Sequence, residues 1–249
     1  MNASIDLNCD LGEGCPFDAE LMQLITSANI ACGGHAGNDE TMATTIRLAI
    51  ANGVAIGAHP GYPDRENFGR QPLNLRTDVL SSLISGQIQR IKRIADSLGA
   101  EVSHVKPHGA LYNQAAADSS IAQAVIDAVA AADGSLVLFG LANGLLIGMA
   151  QKAGLRTVGE AFADRRYLSN GRLAPRSTPG AVIEDPEAAA EQALRIARRE
   201  PIPTIDGGSI VVQADTICLH GDGVNAVSNA RLIRETLIDH GVEIICYGR

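Results

Sequence analysis

The chain has 249 residues, is 46% hydrophobic and carries Lys+Arg 20 against Asp+Glu 28, a formal net charge of −8. That apolar content excludes a disordered chain, while the acidic balance with Phe 4, Tyr 4 and Trp 0 argues against nucleic-acid modules that track phosphates or stack bases. There is no run of about 18 apolar residues, so no transmembrane helix is expected, and Met1–Asp6 lacks the basic and apolar regions of a signal peptide.

In chain order, strand-like runs alternate with amphipathic stretches. The predicted strands are Ser4–Cys9, Ala28–Cys32, Val54–His59, Glu101–Lys106, Ser135–Gly140, Thr157–Ala161, Thr216–His220 and Glu243–Tyr247, with Ser209–Gln213 as a further short one. The predicted helices are Asp18–Ser27, Asp39–Ala51, Asp78–Leu98, Ser119–Ala132, Gly144–Ala153, Pro186–Glu200 and Val224–His240. Thr77 stands where it would cap the third helix, and Gly99, Gly154 and Gly241 stand where helices stop. Asp185-Pro186-Glu187 reads as an N-cap, a first-turn proline and an acidic first turn. Leu80, Leu83, Ile84, Ile88, Ile91, Ile94 and Leu98 repeat at helical spacing, which is core packing. This alternation predicts a parallel sheet built from right-handed βαβ units in one domain over residues 1–249. The stretch Phe162–Asp185 has no predicted element, and a loop of that length inside a domain is more often functional than idle.

The five cysteines (Cys9, Cys15, Cys32, Cys218, Cys246) have no C-x-x-C spacing, which fits a reduced, cytoplasmic protein. All but Cys15 lie in strand-like runs, where Cys acts as a small core residue.

Chemistry gathers where strands end. Asp10 and Glu13 follow the first, His35 the second, His59 the third, Lys106 and His108 the fourth, Glu160, Asp164 and Arg165 the sixth, and His220 and Asp222 the seventh. In α/β barrels these ends build the active site, and histidines, carboxylates and a lysine gathered there read as an enzyme centre. Alternation puts Asp6, Asn8 and Asp10 on one face of the first strand and Ile5, Leu7 and Cys9 on the other. Three inward polar residues fit a wet, functional lumen. His104, Lys106 and His108 share a face by the same rule. Asp10, His35 and His59 would form a one-carboxylate, two-histidine metal site if their strand ends converge. Asp6-x-Asn8-x-Asp10 is not a calcium loop, because Leu11 stands where that loop needs Gly. Gly221-Asp-Gly-Val-Asn-Ala226 is a weak dinucleotide fingerprint with no room for the second half of that fold. Neither a Walker loop nor a G-x-S-x-G elbow is present.

Six motifs in order carry a resemblance: Asp6-Leu-Asn-Cys-Asp-Leu-Gly-Glu13, Ser27-Ala-Asn-Ile-Ala-Cys-Gly-Gly-His-Ala-Gly37, Gly57-Ala-His-Pro-Gly-Tyr-Pro-Asp64, His104-Val-Lys-Pro-His-Gly-Ala-Leu-Tyr-Asn113, Glu160-Ala-Phe-Ala-Asp-Arg-Arg-Tyr167 and His220-Gly-Asp222. Together they resemble the LamB/YcsF family from about Ile5 to Tyr247. Gly34 departs from the family's usual Phe, and Gln71 from a frequent second Arg after Phe68-Gly69-Arg70. The resemblance implies an irregular seven-stranded β/α barrel, shared with polysaccharide deacetylases and some glycoside hydrolases, so one of the eight main strands would lie outside it. It implies the A subunit of an ATP-dependent 5-oxoprolinase, which opens 5-oxo-L-proline to L-glutamate with ATP as co-substrate and subunits B and C as partners. On that reading Asp10 or Glu13, with His35 and His59, would activate water. Lys106 with Arg165 or Arg176 would neutralise phosphate and carboxylate. His108 or His220, with Asp222, would protonate the leaving nitrogen, with Glu160 and Asp164 in the same catalytic set, and Asp6, Asn8, Arg176 and Tyr112 would meet substrate. A divalent metal stays an open expectation. Two other functions fit the same residues: a metal-dependent deacetylase or amidohydrolase acting alone, and a non-catalytic substrate-binding subunit.

Overall fold

A computed structural model of the chain describes residues 3–219 and 225–247. The strands are β1 (Ser4–Leu11), β2 (Ser27–Ala31), β3 (Ala55–His59), β4 (Val102–Val105), β5 (Val137–Leu141), β6 (Thr157–Phe162), β7 (Ile202–Pro203), β8 (Ser209–Ile210), β9 (Thr216–Leu219) and β10 (Glu243–Ile244). The helices are α1 (Asp18–Leu21), α2 (Asp39–Asn52), α3 (Thr77–Ser97), α4 (Gly109–Ala115), α5 (Ser119–Asp133), α6 (Leu145–Lys152), α7 (Pro186–Ala197) and α8 (Ala226–Asp239).

Strands β1 to β6 and then β9 pair in parallel in that order, and β9 pairs back onto β1 to close a seven-stranded barrel. The eighth main strand, β10, lies outside the ring. Ile5 O accepts from Ile245 N and Leu7 O from Thr26 N, so β10 sits beneath β2 along the same edge of β1. The short β7–β8 pair is antiparallel and separate from the barrel, which places the predicted strand Ser209–Gln213 outside it. Among the described residues no helix is long and apolar enough to cross a membrane.

The helices surround the barrel because each buries one aliphatic stripe. In α3 the buried side chains are Leu80, Ile84, Ile88, Ile91 and Ala95, at helical spacing. On β1 the outward Ile5, Leu7, Cys9 and Leu11 are buried against this layer. Helix ends follow the predicted chemistry in part. Asp185 caps α7 through Glu187 N, and Gly99, Gly154 and Gly241 all take positive φ. Thr77 is a correction: it is the first residue of α3, whose N-cap is Arg76 with no side-chain cap bond.

Two helices differ from expectation. The predicted helix Asp18–Ser27 shrinks to α1, because Thr26 and Ser27 are drawn into the sheet: Thr26 N donates to Leu7 O, and both hydroxyls donate to Asp6. Helix α4 was not predicted, being too short for periodicity to register. The stretch after β6 is held by bridges Arg165↔Val182 and Tyr167↔Leu173. Gln192 Nε2 donates to the carbonyls of Phe162, Ala163 and Arg165 beneath it.

Candidate active site

The inward residues form a hydrogen-bonded polar ladder, most of it satisfied by barrel side chains. Asp6 and Asn8 are fully buried. Asp6 accepts from Thr26 and Ser27 at 2.7 Å each and from Thr216. Asn8 donates to Glu160 Oε1 at 2.9 Å and to Thr216 Oγ1 at 2.8 Å. Barrel side chains satisfy these groups from below the mouth. One step up, Asn29 Nδ2 donates to Asn8 Oδ1 at 2.8 Å and Asp10 Oδ1 at 2.9 Å, leaving its Oδ1 to accept from His104 Nε2 at 3.0 Å. His104 stacks on Phe139 with centroids 4.4 Å apart. Its ring fits because residue 57 is glycine: a Cβ there would fall 2.0 Å from His104 Nε2.

Lys106 enters the barrel just above. Its Nζ lies 2.8 Å from Glu160 Oε1, 2.9 Å from Asp10 Oδ1, 3.2 Å from Asn8 Oδ1 and 3.1 Å from Cys218 Sγ. Burial pulls its pKa down, but Asp10 and Glu160 outweigh that and hold it well above the ordinary value. The ammonium is therefore a fixed internal charge that positions Asp10 and Glu160. The Tyr112 hydroxyl lies beside Glu160; burial first, then that carboxylate, hold its pKa well above the ordinary phenol value. Neither that hydroxyl nor Glu160 Oε2 has a well-formed hydrogen bond.

At the mouth, the ends of four neighbouring strands converge. Glu13 follows β1 through Gly12, which takes φ +71°, His35 follows β2, His59 ends β3 and His108 follows β4 as the N-cap of α4. Glu13 Oε1 lies 3.0 Å from His35 Nε2, 3.3 Å from His108 Nδ1 and 3.8 Å from His59 Nε2. His59 Nε2 is 3.0 Å from His108 Nδ1 and 3.3 Å from Asp10 Oδ2. The rings of His35 and His108 stack with centroids 3.6 Å apart. The carboxylates of Asp10 and Glu13 are 18% and 8% exposed, so this end faces solvent. Of the expected trio Asp10, His35 and His59, the two histidines meet Glu13 and His108, with ligand atoms of these four all within 4.8 Å of one another. Asp10 bridges from His59 inward to Lys106 and Asn29.

The protein's own charges polarise this rim. Burial would raise Asp10, but His59 and Lys106 hold it well below the usual carboxylate range. Burial is likewise overcome at Glu13, where the neighbouring His108 and His35 bring the pKa to about 2. Burial lowers His35 to about 4 against the pull of Glu13. His59 goes the other way, because Asp10 outweighs its burial.

A cationic edge adjoins the histidines. Burial first, then the charges of Arg176 and, more weakly, Arg70, lower the Arg165 pKa, so these guanidiniums are neighbours. Arg165 Nη2 donates to Ala174 O at 2.6 Å, fixing the loop after β6. Arg70 sits 5.2 Å from the Phe68 ring, which meets His35 and His108 edge-on. Arg70 and Phe68 were not singled out from the sequence. The available signal was their place in Phe68-Gly69-Arg70, where Phe68 and Gly69 both take positive φ. Asp164 lies in the same loop and contributes its charge to Arg165. His220 and Asp222 lie outside the described residues, as does most of Gly221–Ala226.

Comparison with known proteins gives consistent matches. The model of the LamB/YcsF family matches residues 5–248. The 5-oxoprolinase A subunit of Erwinia tasmaniensis is 47% identical over 240 residues, covering 96% of this chain and 98% of that one. The crystal structure of a lactam utilization protein from Thermus thermophilus superposes with a TM-score of 0.92 at 43% identity, covering 98% of this chain and all of that one.

Proposed function

The chain belongs to the LamB/YcsF family, and from that membership we propose that it is the A subunit of an ATP-dependent 5-oxoprolinase, opening 5-oxo-L-proline to L-glutamate. ATP is the co-substrate, subunits B and C are the partners, and cysteines without C-x-x-C spacing fit a cytoplasmic setting. One observation carries the reading: the carboxylates of Asp10 and Glu13 and the rings of His35, His59 and His108 converge at one partly exposed barrel mouth, in a chain 47% identical to a named subunit of that enzyme.

An unstrained lactam resists water because its amide is resonance-stabilised. Phosphoryl transfer from ATP to the amide oxygen, assigned to the partner subunits, makes the ring carbon electrophilic. One water then breaks the C–N bond and a second releases phosphate, giving glutamate, ADP and phosphate. The water that attacks needs a proton acceptor beside it. Asp10 fills that place, anchored by Lys106 at 2.9 Å through Oδ1, with Oδ2 3.3 Å from His59 Nε2 at the mouth. Glu13 stands beside it. Arg165, Arg176 and Arg70 supply positive charge for the substrate carboxylate and phosphoryl oxygens. His220 and Asp222 are assigned to return a proton to the ring nitrogen.

The test is glutamate formation from 5-oxo-L-proline and ATP with this chain alone, with subunits B and C alone, and with all three. Turnover is expected only in the full mixture, with Asp10→Asn lowering it on the order of 10²–10⁴-fold. Turnover unchanged when this chain is omitted overturns the proposal. Turnover by this chain alone, without ATP, also overturns it and favours the hydrolase acting without partners.

A further inference from the structure

We propose that Glu13, His35, His59 and His108 form a binding site for one divalent transition-metal ion of the zinc type, clamping the ends of β1, β2, β3 and β4 together.

The first argument is the placement of protons. His59 Nδ1 lies 2.7 Å from Lys106 O, and His108 Nε2 lies 2.8 Å from Phe68 O. A carbonyl oxygen only accepts, so each of these nitrogens carries a hydrogen. When both rings are neutral, as metal binding requires, His59 Nε2 and His108 Nδ1 both present lone pairs, 3.0 Å apart. The carboxylate oxygen of Glu13 lies 3.3 Å from the second of them. Acceptors facing one another at that range are reconciled by a proton or a metal ion held among them. Locking the far nitrogen of a histidine to a carbonyl is also how metal-binding imidazoles are oriented.

The second argument is shape. Zinc bonds of about 2.0–2.1 Å to nitrogen and oxygen set tetrahedral ligand atoms about 3.3–3.4 Å apart. The separations here are 3.0, 3.3 and 3.8 Å from Glu13 Oε1 to the three histidines and 3.0 Å between His59 and His108. Centring an ion among them requires the stacked rings of His35 and His108, now 3.6 Å apart and parallel, to tilt toward each other. Three imidazoles and one carboxylate suit zinc, cobalt and their neighbours better than calcium or magnesium, which prefer oxygen shells. The surroundings are close-fitting. A Cβ at Gly69 would fall 2.7 Å from His35 Cβ, and one at Gly61 would fall 2.7 Å from His35 Nδ1, so the rings are seated against backbone.

The experiment is Co²⁺ titration of the full chain after chelator treatment, read by visible absorption and by metal analysis after gel filtration, with Zn²⁺ as competitor. One saturable equivalent with an intense tetrahedral Co²⁺ spectrum, displaced by Zn²⁺, is expected. Glu13→Gln, nearly isosteric, and His59→Ala should each weaken binding on the order of 100-fold, while the exposed His240→Ala leaves it unchanged. Circular dichroism checks that each variant is folded. No saturable Co²⁺ uptake by the folded wild-type chain overturns the proposal and leaves a proton as the shared cation. Uptake that survives both Glu13→Gln and His59→Ala overturns it too, by placing the ion elsewhere. The readout is binding, so it stands apart from whether the chain opens a lactam.

Discussion

The ammonium of Lys106 lies 2.8 Å from Glu160 Oε1 in the interior of the barrel, with side-chain exposures of 3% and 0%. An ion pair so deep adds little net stability, but removing one partner strands the other. Lys106→Met should therefore destabilise the chain by about 3–5 kcal/mol, read from the urea denaturation midpoint. Glu160→Gln in the same chain should restore part of the loss, with a coupling of about 1–3 kcal/mol. A Lys106→Met variant as stable as wild type would contradict a charge fixed at this place.

The arginine edge gives a kinetic expectation. If Arg165, Arg176 and Arg70 meet the anionic groups of substrate in ground and transition state alike, losing one raises KM and spares kcat. Arg176→Ala is expected to raise KM for 5-oxo-L-proline about tenfold in the three-subunit mixture, with kcat changed by less than a factor of two or so. Arg165→Ala should do more, because Arg165 also holds Ala174 O at 2.6 Å and with it the loop. A fall in kcat with unchanged KM for Arg176→Ala would move that residue out of substrate binding.

Much of this site was legible in the sequence because strand ends are punctuated and side chains alternate. Period two put Asp6, Asn8 and Asp10 inside and Leu7 and Cys9 outside, as the fold has them. The partners of Asp6 were not legible, because Thr26, Ser27 and Thr216 meet it only once the ring closes. Which carboxylate joins the histidines was illegible for the same kind of reason. Glu13 meets His35 across 22 residues of sequence, while Asp10, three positions earlier, is claimed by Lys106 across 96. Phe68 and Arg70 lie in a loop without periodicity, so no pattern marked them. Helices α1 and α4 span 4 and 7 residues, too few turns for an apolar stripe to repeat.

Gly57 is a test of close packing inside the barrel. Its added Cβ would fall 2.0 Å from His104 Nε2, 2.3 Å from Cδ2 and 2.5 Å from Cε1. The ring cannot easily retreat, because it stacks on Phe139 and bonds Asn29. Gly57→Ala should lose about 1–3 kcal/mol or more to overpacking, seen as a lower thermal midpoint. Gly86→Ala, on the exterior helix α3 where an added Cβ meets nothing within 4 Å, should be neutral or mildly stabilising. Equal effects of the two changes would remove the steric argument.

His104 sets a pH dependence whose sign follows from burial. Desolvation, followed by the nearby positive charges of Lys106 and His59, lowers its pKa from 6.5 to about 3. Its Nε2 donates to Asn29 Oδ1 and its Nδ1 lies 3.2 Å from Ser103 Oγ, in a site where burial keeps the ring neutral. Between about pH 3 and 6.5 the unfolded chain binds a proton here that the folded chain refuses. Stability is thus fully present above pH 6.5 and is lost as pH falls, by about 2 kcal/mol at pH 5. Glutamine at this position retains a donor for Asn29 and does not titrate. His104→Gln should be less stable than wild type at pH 7.5 through lost stacking on Phe139, yet lose less on acidification. The gap between the two should therefore narrow by about 2 kcal/mol from pH 7.5 to pH 5, in paired urea titrations at each pH. Carboxylates common to both proteins cancel in that difference. A constant gap would mean that His104 accepts its proton as readily in the folded chain as in the unfolded one.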